Sequence, residues 1–250
     1  MRALFLLLIV LLASGPSGAA EARKYAVLSL IGDGMLISQW VPSTGARLDP
    51  NTKEFIPIVE GVFDKAALLA TNNALKGLDP EAKPVLLFAR ERFIYEAQNK
   101  VLDRGGKTVD LLEHIRGLLA GTGATHLILI TKLRNEARLK LSDTTVGSGM
   151  LEGVGFYIDS NMPIQLVQTG ESSTGFMAAF AYFKVELIDL ARGQAVNEVR
   201  VVASAVHSTP NRMALHAWNA LSGAQKITML QDLVSRETTR VIPKLVETTP

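Results

Sequence analysis

The chain has 250 residues, of which 48% are hydrophobic and 20% charged; it is too apolar for a disordered protein and long enough to bury a sizeable core. Lys and Arg number 26 against 24 Asp and Glu, a net charge of +2 with no clustered basic patch, so no nucleic-acid partner is expected. The absence of cysteine excludes disulfides, thiolate metal sites, cysteine nucleophiles and a lipidated N-terminal cysteine.

Met1 and Arg2 open the chain, and Ala3 to Ala13 follows as an unbroken apolar run. A run of that length fits the core of an export signal; a membrane-spanning helix needs about 20 apolar residues. Gly15, Pro16 and Gly18 break the run, and small residues permit cleavage after Ala20 or after Ala22. Residues 1–20 are therefore expected to be a signal peptide and 21–250 a single exported α/β domain. The expected address is the periplasm, with outer-membrane association or secretion as alternatives.

Along the expected mature chain, Tyr25 to Ile31 has the length and aliphatic content of a strand. Gly32-Asp33-Gly34 is a turn signal, and Met35 to Val41 reads as a second strand, which predicts a hairpin. Pro42 to Pro57 is rich in turn residues. Asp64 is placed as the N-cap of a helix through Lys76, with Gly77 beyond its end and Ala67, Leu68, Thr71 and Leu75 on one face. Val85 to Ala89 is a short strand. Arg90 to Leu102 is a helix with Phe93, Ala97 and Val101 in phase, and Thr108 to Ala120 a second with Leu112, Ile115 and Leu119 in phase. Thr125 to Leu133 is a strand, and the segment to Leu141 alternates as a half-exposed strand would. Thr144 to Gly175 reads as a glycine-rich loop with short strand-like pieces. Phe176 to Leu190 and Ala195 to His207 form a long hairpin around an Asp189–Gly193 turn. Helices over Asn211 to Leu221 and Ser222 to Val241 follow, the second opened by a Ser222/Gln225 capping box, and Pro243 with the Thr-rich tail is expected to fray. This order predicts an α/β (α+β) fold: a mixed sheet with a long antiparallel hairpin and helices packed on it.

Signals for chemistry are few. Leu30-Ile31-Gly32-Asp33-Gly34-Met35 resembles the strand-end motif of alkaline phosphatases, in which such an Asp binds metal, but the Asp-Ser-Ala nucleophile setting is absent and the chain has only His114, His126, His207 and His216. Gly170 to Gly175 has phosphate-loop spacing, yet Phe176 and Met177 stand where Lys and Ser or Thr are needed. Gly147, Gly149, Gly153 and Gly155 do not form a dinucleotide fingerprint, and no GxSxG, SxxK or HExxH occurs. No catalytic, cofactor-binding or metal-ligating set is assigned, and no cofactor is expected. Ser173 to Phe183 is uncharged and apolar on both strand faces, which suits either a central buried strand or an exposed contact with a partner or lipid. Trp40 and Trp218 are expected in the core, with an interface role as the alternative.

Several of these pieces resemble the periplasmic α/β domain of the curli-secretion protein CsgG, the N-terminal domain of TolB and LpoB-type activators of cell-wall synthases. The resemblance rests on Tyr25 to Ile31, Asp64 to Lys76, Leu86 to Gln98 (LLFARERFIYEAQ), Gly123 to Thr131 (GATHLILIT) and Val185 to Val196 (VELIDLARGQAV). The chain departs from that group in its missing lipidated Cys, its Asp-Gly turn with the Pro42 to Pro57 loop, and its glycine-rich segment. The resemblance implies a scaffold for protein contacts rather than an active site. The expectation is a non-enzymatic adaptor of the cell envelope, binding envelope proteins through its sheet edge, hairpin and glycine-rich loop, with homo-oligomerisation open. A metal-assisted hydrolase using Asp33, and an outer-membrane multimer inserting Phe176 to Gly193, are the alternatives.

Overall fold

The computed structural model describes residues 23–42, 49, 51–58, 60–141, 144–165, 172–207 and 217–247. The expected signal peptide, the Gly170–Glu171 start of the phosphate-loop-like stretch, and His216 lie outside these residues. In chain order the elements are β1 (Tyr25–Ser29), β2 (Gly34–Gln39), β3 (Thr52–Pro57), α1 (Val62–Leu78), β4 (Val85–Leu87) and α2 (Arg92–Asp103). A 3-10 turn (Thr108–Leu111) leads into α3 (Leu112–Leu119), then β5 (His126–Lys132), β6 (Arg134–Glu136), β7 (Leu139–Leu141) and β8 (Thr144–Val146). β9 (Met150–Gln165), β10 (Ser172–Asp189) and β11 (Gln194–His207) follow, and a second 3-10 turn (Ala217–Ala220) precedes α4 (Gly223–Glu247). The fold is the mixed α/β sheet with a long antiparallel hairpin and packed helices that the sequence predicts.

β10 is the spine. Along Met177–Asp189 one of its edges pairs antiparallel with β11. Its other edge is shared end to end by β9, which pairs with Ser172–Tyr182, and β5, which pairs with Phe183–Asp189. β1 lies parallel to β5 and β2 parallel to β9, so β1 and β2 run along one line, broken at residues 30–33. The sheet is completed by β4, parallel to β1, and β3, antiparallel to β2. Phe176 to Phe183 is buried on both faces, because α4 covers one and the β7–β8 ribbon the other. Phe176 to Phe183, most of the uncharged stretch, is thus a central strand. No helix among the described residues is long and apolar enough to cross a membrane.

Three apolar clusters follow from strand alternation. Val27, Ile128, Ile130, Phe183 and Val185 meet α1 and α4 on one face. Ala26, Leu28, Leu127 and Leu129 meet α2 and α3 on the other. Further along that second face, Tyr157, Phe176, Phe180 and Tyr182 lie under Ala137 and Leu139, with Trp40 half-buried against them. Trp218 packs edge-on against Phe156, with ring centroids 5.6 Å apart, and the Lys226 ammonium lies 3.7 Å from its ring centroid. Both tryptophans therefore pack against the core.

Five expectations need correction. The Asp-Gly turn does not make a hairpin: both sides of β1 are filled by parallel strands, so the chain sidesteps at Gly32–Gly34 and continues in the same direction as β2. The described part of the segment 144–175 is mostly strand rather than loop, in β8, β9 and the start of β10. Gly147 and Gly149 lie between β8 and β9, but Gly153 and Gly155 sit within β9, where Gly155 lets β9 approach β2 so closely that a Cβ there would collide with the Leu36 carbonyl. Asp64 is not an N-cap. Gly61 is, and Asp64 turns inward on the same helical face as Ala67, Leu68 and Thr71. The buried face of α2 is Ile94, Ala97 and Gln98, leaving Phe93 exposed. α4 runs through Pro243 to Glu247, because Ile242 and Leu245 are held in the core on either side of it.

The Ser222/Gln225 box forms as the spacing predicts: the Gln225 N–H donates to Ser222 Oγ at 3.2 Å, and the Ser222 N–H to Gln225 Oε1 at 2.8 Å. Ser222→Ala is expected to lower stability by about 1 kcal/mol, measured by urea unfolding. A change within error would show that α4 is held by packing alone.

Candidate functional site

The break in the β1–β2 line leaves backbone groups that a continuous ladder would satisfy, and buried polar side chains satisfy them instead. The Ile31 N–H donates to Asp64 Oδ1 at 2.9 Å. Gln98, from α2, donates to the Leu30 carbonyl at 2.8 Å and accepts from the Lys132 N–H at 3.0 Å, tying the ends of β1 and β5. Helix periodicity brings both side chains inward, since Asp64 and Gln98 lie in phase with the apolar residues of their helices.

Asp64 is 4% exposed and spans three elements. Its Oδ1 also accepts from the Ser29 hydroxyl at 2.6 Å, and its Oδ2 from the Tyr95 hydroxyl at 2.7 Å. Gly32 makes room for the carboxyl, because a Cβ there would collide with Asp64 Oδ2. Burial pushes the Asp64 carboxyl up to about 6, although these hydrogen bonds pull the other way. Burial, followed by the neighbouring carboxylate of Asp64, holds the Tyr95 hydroxyl well above the ordinary phenol range.

Asp33 stands beside this group. Lys132, 7% exposed, donates to Asp33 Oδ2 at 2.8 Å and to Asn99 Oδ1 at 3.2 Å, and its ammonium lies 5.3 Å from the Phe55 ring centroid. Asp33 Oδ1 is buried without a hydrogen-bond partner. The ion pair separates two clefts. One, of about 360 Å³, is lined by Gly34, Lys53, Phe55, Arg134 and Glu152, and its charges are paired: Lys53 with Asp49, and Arg134 with both Asp103 and Glu152.

The other cleft, of about 500 Å³, opens at the C-terminal ends of β1 and β4. α1 packs on one face of the sheet and α2 on the opposite face, so the sheet end between them is uncovered, the position at which open α/β sheets form binding crevices. Asp33, Asp64 and Tyr95 line its floor, with Ile58 and Ala89 beside them and Glu60, Lys65, Phe88 and Arg90 toward the rim. Phe88 is 48% exposed, and Phe93, the second residue of α2 and outside the cleft lining, is 52% exposed.

Asp33 does lie in the crevice, where the hydrolase alternative needs it; the Lys132 ammonium meets its Oδ2, and the Asp64 carboxyl lines the same floor. No group of three His, Cys, Asp or Glu among the described residues could hold a metal ion. His114 is exposed on α3, and His126 stands at the far end of β5, 6.1 Å from Tyr25 between ring centroids. Sequence reading missed Asp64, Tyr95, Gln98 and Lys132. The available signal was a polar residue in phase with an apolar helical face, visible at Asp64 and Gln98.

Compared with known proteins, the chain matches no family model and no curated sequence.

Proposed function

We propose that the protein is a periplasmic adaptor of the bacterial cell envelope, exported through its leader, that acts by binding other envelope proteins and not by catalysis. The observation that carries this reading is a contrast within one crevice. Its ionisable floor is largely engaged in structural bonds: the Asp64 oxygens accept from Ser29, Ile31 and Tyr95, and Asp33 is paired with Lys132 through Oδ2, leaving Oδ1 without a hydrogen bond. Its rim instead presents an aromatic ring and an arginine to solvent at Phe88 and Arg90, residue types that anchor protein interfaces, and Phe93 exposes a second ring on the adjoining start of α2. The leader and the resemblance to the CsgG, TolB and LpoB group support the address and the adaptor role.

The test is crosslinking in cells with the tagged chain, comparing the parent with Phe88→Ala/Phe93→Ala. Both rings are half out of the core, so the double variant should fold. The expected result is a defined envelope protein recovered with the parent and reduced about tenfold with the variant, together with release of the chain by osmotic shock. Recovery of no envelope protein from either chain overturns the proposal.

A further inference from the structure

The sheet has four outer strands, and three carry the devices that discourage edge pairing: β6 is three residues long and holds Arg134 and Glu136. β3 exposes Lys53 and Glu54 and ends at Pro57; β4 is three residues long and follows Pro84. β11 is different along its length. Its first half carries Glu198, Arg200 and a bulge where the register with β10 shifts between Leu187 and Ile188. Its second half, Val201 to Val206, contains no charge, proline or bulge. Among the described residues no strand pairs with its outer edge.

The orientation of that edge follows from the ladder. The Leu133 N–H donates to the Tyr182 carbonyl at 3.0 Å, so Tyr182 directs its peptide groups toward β5 and β9. Alternation then turns Ala181, Phe183 and Val185 toward β11, and their partners Ala203, Val201 and Val199 toward β10. The N–H and C=O groups of Glu198, Arg200, Val202, Ser204 and Val206 therefore point outward. α4 covers one face of this segment, and β7 lies over the other, where the Lys140 N–H donates to Ser204 Oγ at 3.0 Å. The faces are covered, while among the described residues the backbone edge has no strand partner.

We infer that this edge is the interface of a homodimer, in which β11 pairs antiparallel with β11 of a second copy about a two-fold axis at Val202. The strand is self-complementary in that register. Val202 faces its own equivalent, Val201 faces Ala203 of the second copy, Val199 faces Ala205, and Arg200 faces Ser204. Moving the axis to Arg200 would set two arginines opposite each other, and moving it to Val199 would run the pairing into the bulge. The inference is independent of the adaptor reading, which concerns the crevice at the other edge of the sheet.

The experiment is sedimentation of the purified exported chain with three variants, alongside amide exchange. Arg200→Pro removes an outward N–H and the exposed Arg200–Glu198 ion pair but no bond to β10, so the β10 ladder persists while strand addition is blocked. Ser204→Lys places a cation opposite Arg200 twice across the axis and should weaken the dimer about tenfold; adding Arg200→Glu turns that contact attractive. The expected result is a dimer for the parent, with the outward amides of β11 protected. Arg200→Pro should be monomeric with a cooperative unfolding transition that no longer depends on protein concentration, and pairing should be lost in Ser204→Lys and restored in Ser204→Lys/Arg200→Glu. A monomeric parent, outward amides protected only when another protein is added, or a dimer indifferent to every variant overturns it. A monomeric parent that still recovers its envelope partner would leave the adaptor reading standing.

Discussion

Lys132→Met is expected to destabilise the protein by about 3–5 kcal/mol, because it leaves the Asp33 carboxylate mostly buried without a counter-charge. The side chains of Lys132 and Asp33 are 6% and 17% exposed, so water can replace the ammonium only in part. Asp33 Oδ1 has no hydrogen bond to fall back on. Asp33→Asn alone should cost much less, since Lys132 keeps its contacts with Asn99 Oδ1 and the Phe55 ring. Combining the two changes should recover most of the loss, because the orphaned charge is then gone. A double-mutant cycle from denaturant unfolding reads the coupling directly. A Lys132→Met loss below about 1 kcal/mol, in the range of exposed pairs, would show that the pair is solvated and not structural.

The second large effect is a pH dependence set by Asp64. Its carboxyl titrates near 6 in the folded chain, above the ordinary value of 3.8. Between those values the folded protein holds a proton that the unfolded chain has released, so the stability from this group is complete below the lower value and falls as pH rises to the upper one. The difference corresponds to about 3 kcal/mol. Asp64→Asn removes this titration. Its carbonyl oxygen can still accept from Ser29 and Ile31, while its amide donates to the Tyr95 hydroxyl, which can turn its own proton to the Ala89 carbonyl, 3.4 Å away. The stability of Asp64→Asn relative to the parent should therefore rise by about 2 kcal/mol from pH 4 to pH 7, most of the full difference. Parallel stability curves for the two proteins across that window would refute the assignment.

Both effects arise where the sheet line breaks. There Asp64 ties α1 to β1 and α2, and Gln98 ties the ends of β1 and β5. Phe88 and Arg90, at the rim above them, are exposed.

Most strands and helices were legible in the sequence, because apolar periodicity reports which side of a segment is buried and requires only neighbouring residues. The Ser222 box and the Asp189–Gly193 turn were legible for the same reason: their donors and acceptors lie within a few residues of each other. What sits beside what was decided by the tertiary structure. Asp33 meets Lys132 across 99 residues, Gln98 meets Leu30 across 68, and Asp64 meets Ile31 across 33. An Asp-Gly pair forms a hairpin only if the two flanking strands are free to pair with each other. Here β4 and β5 occupy both sides of β1, so the same dipeptide became a step in the sheet and its carboxylate became half of a buried ion pair.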